Sequence, residues 1–171
     1  MSDNQGKMAN VNGLRLENVV LHEIKKYNFN DIMHSKLADK TKLPQNTVVK
    51  RVPFNSIYNK RQGNNRGKKL AKSYSEFVIV TEATSIRIEC KSQNTAGSVD
   101  EKIPYIFANC KDGYIEDYII IIIEGEGFKS GTKEWAIEQA DEINTDVGYT
   151  KIQVLNLNEF KTWCTTNLIT I

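Results

Sequence analysis

The chain has 171 residues, a net charge of only +2, and 40% hydrophobic against 26% charged residues. That is the composition of one globular domain with a sizeable core, and it excludes a globally disordered chain or a uniformly basic nucleic-acid coat. Three cysteines without paired spacing and two histidines, His22 and His34, exclude a disulfide framework and a zinc ribbon, and point to a reducing, cytoplasmic (intracellular) setting.

The first residues are polar, so no signal peptide is expected, and 1–12 read as a flexible N-terminus. Leu14, Leu16, Val19, Val20, Leu21 and Ile24 then recur with helical spacing, which predicts an amphipathic helix over 13–27, ended by Asn28 and Asn30. A short helix is expected over 32–38, with Pro44 interrupting the pattern, and a strand over 47–52.

The segment 50–72 is the most polarised of the chain. It carries Lys50, Arg51, Lys60, Arg61, Arg66, Lys68, Lys69 and Lys72 and no acid. Arg61, Asn64, Asn65, Arg66, Lys68, Lys69 and Lys72 suit contact with DNA, since cations bind phosphate and Arg and Asn also read base edges. A basic solvated loop is the plain alternative. Tyr58 could equally stack on a base or pack on the core.

Phe77 to Val80 and Ile86 to Cys90 read as two strands joined by a turn at 83–85. Alternation puts Arg87, Glu89 and Lys91 on one face of the second strand and Ile86, Ile88 and Cys90 on the other. If the strands are antiparallel, Glu76 falls near Glu89, and two carboxylates meet one ammonium at one end of a hairpin. Phosphodiester hydrolysis asks for this set. Carboxylates hold a hard divalent cation such as Mg2+, the cation stabilises charge on phosphate and acidifies water, and the lysine orients that water or neutralises charge. A Glu and a Lys two apart on a strand are also common as a solvated face.

Glu76, the run Glu89-Cys90-Lys91, Gln93, the continuation Gly97-Ser98-Val99-Asp100-Glu101-Lys102 with Pro104-Tyr105, and Glu124-Gly125-Glu126-Gly127 together resemble the PD-(D/E)xK nuclease superfamily, over roughly 13–160. The similarity is to a branch found among phage, restriction and homing-type nucleases. It implies an α/β fold, a mixed central β-sheet flanked by helices with a restriction endonuclease-like core. It further implies a Mg2+-dependent endonuclease, with Mn2+ able to substitute, acting on double-stranded or branched DNA; a chain this small that cuts both strands of a duplex is expected to act as a homodimer. By the same resemblance Glu76, Glu89 and the carbonyl of Cys90 bind metal, Lys91 positions the attacking water, Glu17 holds a further water, and Gln93 contacts DNA or orients Lys91. One departure stands out: the family's first acid is usually Asp, and Glu76 occupies its place. Glu82 is the other candidate, at the wrong end of the hairpin. Glu124 and Glu126 are rival ligands.

Downstream, Ser98 and Glu101 match a capping box opening a helix to about 109, with Pro104 in its first turns and Lys102 within reach of a phosphate. A strand over 116–123 is apolar throughout its isoleucines, as expected when both faces are covered, and too short to span a bilayer. The two glycines after it let backbone approach a ligand or turn sharply, and Lys129 and Lys133 flank them. A helix is expected over 132–144 with Trp135, Ala136, Ala140 and Ile143 inward, then a strand over 152–155 and a last helix capped by Asn158. Restriction-type cleavage leads this reading. A homing endonuclease or Holliday junction resolvase on the same fold is the close rival, and a non-catalytic DNA-binding module the rival from another class.

Overall fold

The computed structural model describes residues 2–58, 73–145 and 150–168, with side chains from residue 13 onward. Its chain order is α1 (Ser2–Lys25), β1 (Asn30–Met33), a 3-10 turn (His34–Lys36), β2 (Thr47–Phe54), β3 (Ser73–Val80), β4 (Ser85–Ser92), a 3-10 turn (Asp100–Lys102), α2 (Ile103–Asp112), β5 (Tyr118–Glu124), α3 (Thr132–Asn144), β6 (Lys151–Leu155) and α4 (Leu157–Asn167). The six strands lie side by side in chain order. β2, β3 and β4 are antiparallel neighbours, and β1–β2, β4–β5 and β5–β6 are parallel. This is the expected mixed sheet flanked by helices.

β5 is the spine. Ile119 to Ile123 are all buried, and they divide by alternation between two cores. Ile120 and Ile122 join Leu16, Val20 and Ile24 of α1 and Phe160 and Cys164 of α4 on one face. Ile119, Ile121 and Ile123 join Ile103, Phe107, Ala136 and Ala140 of α2 and α3 on the other. Each isoleucine so buried contributes roughly 1.5–3 kcal/mol.

The β3–β4 hairpin turns where Thr81 accepts the Ala83 and Thr84 backbone N–H groups on its hydroxyl. Its register pairs Val80 with Ser85 and Phe77 with Ile88, and there the β3–β4 pairing ends. Beyond it β3 stays with β2 while β4 continues on β5 through Ser92. The sheet therefore parts where Glu76 and Glu89 face each other.

β2 carries a break in its alternation. Val49 and Val52, three residues apart, share a small cluster with Val78 and Leu37. Arg51 between them has φ of +54°. A left-handed backbone costs an ordinary L-residue roughly 1–2 kcal/mol.

Several local expectations give way to tertiary contacts. α1 starts at Ser2, well before residue 13, though Asn28 ends its exit at φ +64° as expected of an asparagine. The region 31–38 is strand and 3-10 turn, not helix. Ser98 and Glu101 form no capping box, and α2 has no side-chain cap. α4 is capped by Asn156 with Glu159, not by Asn158. α3 buries Ala136, Ala140 and Ile143 as expected, while Trp135 stays partly exposed, edge-on to Phe107. Tyr58 stacks on Tyr105 at 5.2 Å.

Candidate active site

Where the sheet parts, Lys91 reaches back between the strands. Its Nζ donates to Glu76 Oε1 at 2.9 Å, Glu89 Oε2 at 3.2 Å and the Cys90 carbonyl at 3.0 Å. The Cys90 backbone N–H, no longer paired to β3, donates to Glu76 Oε2 at 3.4 Å. Three oxygens of two residue types thus converge on one cation. The extra methylene of Glu76 does not keep its carboxylate from this cluster.

Glu89 is deeply buried, and its carboxyl is pushed up to about 8, first by loss of solvent and then by the Glu76 charge, with Lys91 working against both. Burial opposes the charge of Lys91, but Glu89 and Glu76 outweigh it and hold the ammonium protonated well above the usual lysine range. On the opposite side of Glu89, Tyr114 donates its hydroxyl to Oε1 at 3.1 Å. Under Tyr114 lies Arg87, whose guanidinium is 4.4 Å from that ring and 5.2 Å from Phe54. Arg87 forks onto Glu116, Nε to Oε2 at 2.7 Å and Nη2 to Oε1 at 2.5 Å, and the pair is almost fully buried.

A groove of about 310 Å3 opens beside the cluster, walled by Leu14, Glu17 and Asn18 of α1, Lys50 and Arg51 of β2, and Glu76 of β3. The Glu17 carboxyl is raised by partial burial and by Glu76, against the pull of Lys91 and Arg51. Lys50 is tied to Asp31, which also takes Lys25 and is held down to about 2 by those two hydrogen bonds, Lys25 first.

The structure therefore brings Glu17, Glu76, Glu89, Cys90 and Lys91 together. It places Gln93 elsewhere. Gln93 Nε2 donates to Asp100 Oδ2 and the Gly127 carbonyl, and its Oε1 accepts from the Val99 N–H, so the side chain ties the 99–100 segment to the loop after β5 instead of turning to Lys91. The glycines after β5 serve the same packing: Gly127 N–H bonds to the Gln93 carbonyl at 2.7 Å, and a Cβ there would collide with the Thr95 backbone. Asp100 takes the Lys129 N–H and the Thr132 hydroxyl. Glu124 accepts the Leu157 N–H at the start of α4, and Glu126 and Glu82 are exposed. Lys102 is exposed, and Lys133 pairs with Glu159. Arg61, Asn64, Asn65, Arg66, Lys68, Lys69 and Lys72 lie outside the described residues. Tyr114 and the Arg87–Glu116 pair have no local sequence signal, since their contacts to one another and to Glu89 span 25 residues or more.

Compared with known families, residues 8–168 match the family model of a PD-(D/E)XK nuclease superfamily domain. The chain belongs to the PD-(D/E)XK nuclease superfamily. The match supports a nuclease, of a superfamily that generally uses divalent metals. No curated protein and no solved structure gives a significant match. Among the described residues no group of three or more His, Cys, Asp or Glu side chains stands ready to take a metal ion, and no helix is long and apolar enough to cross a membrane. The donors at the parted sheet are two carboxylates and a carbonyl, all hard oxygens. They fit a hard divalent cation in chemistry, with the Lys91 ammonium standing at their focus.

Proposed function

We propose that this PD-(D/E)XK protein is a Mg2+-dependent DNA endonuclease. The carrying observation is the convergence of Glu76, Glu89 and the Cys90 carbonyl on a single cationic group. Glu76, Glu89 and the Cys90 carbonyl would hold Mg2+, or Mn2+ in its place. When bound, the cation supplies charge stabilisation at phosphate and acidifies water.

The remaining roles belong to the chain. Tyr114 holds Glu89 from behind and fixes which oxygen faces Lys91. Lys91, released from its two carboxylates, keeps its ammonium at the cluster, where it orients the attacking water or meets charge developing on the phosphate. Glu17, with a raised pKa on the groove wall, holds a further water near Glu76. Lys50 and Arg51 form the β2 wall of the groove, along which a phosphate backbone would lie. The basic segment 50–72 continues from that side in sequence and supplies the grip on DNA.

Restriction-type cleavage of a specific sequence leads, with a homing endonuclease or junction resolvase as rivals. Cutting both strands of a duplex calls for a homodimer with two sites about a twofold axis. The test is incubation of mixed plasmid, phage and branched DNA with Mg2+, with wild type beside Lys91→Ala and Glu89→Ala. Discrete fragments lost in both variants support the restriction-type reading, and cutting of branched DNA alone supports a resolvase. Binding of DNA without cleavage in Mg2+ or Mn2+ would replace the enzyme by a non-catalytic binding module.

A further inference from the structure

Arg51 breaks a local rule without a structural return. Three non-glycine residues among those described have positive φ: Asn28, Asn46 and Arg51. Asparagine adopts this conformation readily, and arginine does not. The break in β2 at this position needs the backbone conformation only, which Asn or Gly would supply at lower cost. What the arginine adds is its guanidinium, and its surroundings say where that group is directed.

Arg51 sits between the register pairs Lys50–Phe77 and Val52–Ser75, and so across from Glu76. Its guanidinium lies 5.1 Å from the centre of the Tyr74 ring. Among the described residues it has no carboxylate at ion-pair distance, whereas the neighbouring Lys50 is neutralised by Asp31 and Lys91 by Glu76 and Glu89. Arg51 and Tyr74 line the catalytic groove and also a second groove of about 280 Å3, whose far wall carries His34, Ser35 and Lys40. Arg51 and Tyr74 are thus a wall common to both grooves. A guanidinium laid on an aromatic ring keeps its N–H fork facing outward, the geometry that grips phosphate on two oxygens. Tyr74 is 46% exposed, open enough to carry a sugar or base.

We propose that Arg51, stacked on Tyr74, is a second phosphate subsite that holds the phosphodiester next to the scissile one and leads the strand toward Lys40. The ligand is a nucleic-acid backbone, and in that respect the subsite rests on the nuclease reading. Backbone recognition of this kind is indifferent to sequence and sensitive to salt. The strand that uses it is either one strand of a duplex or an unpaired strand with a base on Tyr74.

The test is fluorescence anisotropy of a labelled single-stranded oligothymidylate and of a duplex of equal length, in EDTA so that nothing is cut. Wild type is compared with Arg51→Asn and Tyr74→Ala across a salt series, and thermal unfolding of each is recorded. Arg51→Asn keeps the left-handed backbone, so its melting temperature is expected to hold or rise. Its DNA affinity is expected to fall about tenfold, with the salt slope reduced by about 0.7–0.9, one phosphate's share. A loss confined to the single strand in both variants assigns the subsite to an unpaired strand. An equal loss on the duplex, with Tyr74→Ala weak, assigns it to duplex backbone. Unchanged affinity and slope in Arg51→Asn overturns the subsite and leaves the nuclease reading standing, as does a fall in melting temperature that accounts for the loss. Failure of the wild type to bind either DNA in EDTA overturns the subsite, and the cleavage assay in Mg2+ then decides the nuclease reading separately.

Discussion

The Tyr114 hydroxyl donates to Glu89 Oε1 at 3.1 Å, while Lys91 holds Oε2 of the same carboxylate at 3.2 Å. The two oxygens are thus assigned to different partners, one to Tyr114 and one to Lys91. Where a carboxylate is a metal ligand, as proposed for Glu89, a partner behind it typically changes affinity or activity by 10–100-fold. Tyr114→Phe keeps the ring against Arg87 and Phe54 and removes only the donor. It is expected to lower cleavage and Mg2+ affinity by about that factor with little loss of stability. Titrating Mg2+ against cleavage rate checks it, and an unchanged rate and midpoint would remove Tyr114 from the site.

The raised pKa of Glu89 makes stability depend on pH. In the unfolded chain the group ionises near its ordinary value of 4.5, and in the folded chain near 8. Between these values the native state binds the extra proton, so metal-free stability falls as pH rises through that window. Glu17 is shifted the same way and adds to the slope. Asp31 is shifted down, and its contribution is complete above about pH 4, outside the window. The loss is expected to be on the order of a few kcal/mol. Glu89→Gln should flatten the curve, and Mg2+ should restore stability at the alkaline end. Urea unfolding at about pH 5 and about pH 8, with and without Mg2+, decides this. Parallel curves for wild type and Glu89→Gln would contradict it.

Arg87 and Glu116 form a bidentate pair almost without solvent, beneath the Tyr114 ring. Removing one partner of such a pair typically costs 3–5 kcal/mol, because the other charge stays buried and unpaired. Arg87→Met is expected to destabilise the fold by about that amount, and the double change with Glu116→Leu by clearly less. Denaturant midpoints of the two singles and the double give the coupling, and additive losses would show that the pair is not coupled.

Gln93 is expected to act on folding more than on chemistry. Its side chain ties Val99, Asp100 and Gly127. Gln93→Ala leaves the Val99 N–H and the Gly127 carbonyl short of a partner, at about 1–3 kcal/mol. Stability should fall by about that much, while the Mg2+ dependence and the pH profile of cleavage keep their wild-type form. A shifted pH profile with unchanged stability would return Gln93 to the catalytic group.

The sequence by itself determined what depends on short-range periodicity. Alternation in Arg87, Glu89 and Lys91 against Ile88 and Cys90 put the acid and the lysine on one face. The turn read at 83–85 then set Glu76 against Glu89, and the unbroken isoleucines of β5 announced a strand covered on both sides. Tertiary structure alone decided what depends on partners distant in the chain. Ser98 and Glu101 have the spacing of a capping box, yet Asp100 and Gln93 bind the loop after β5 and draw that segment into a 3-10 turn. Asn156 outcompetes Asn158 as a cap because β6 ends at Leu155 and delivers the chain to α4 there. Tyr114 reaches Glu89, and Arg51 comes to stand across from Glu76, only once the sheet is assembled. Periodicity is a property of neighbouring backbone dihedrals, whereas hydrogen-bond partners and burial are settled by whichever distant groups the packed sheet brings within reach.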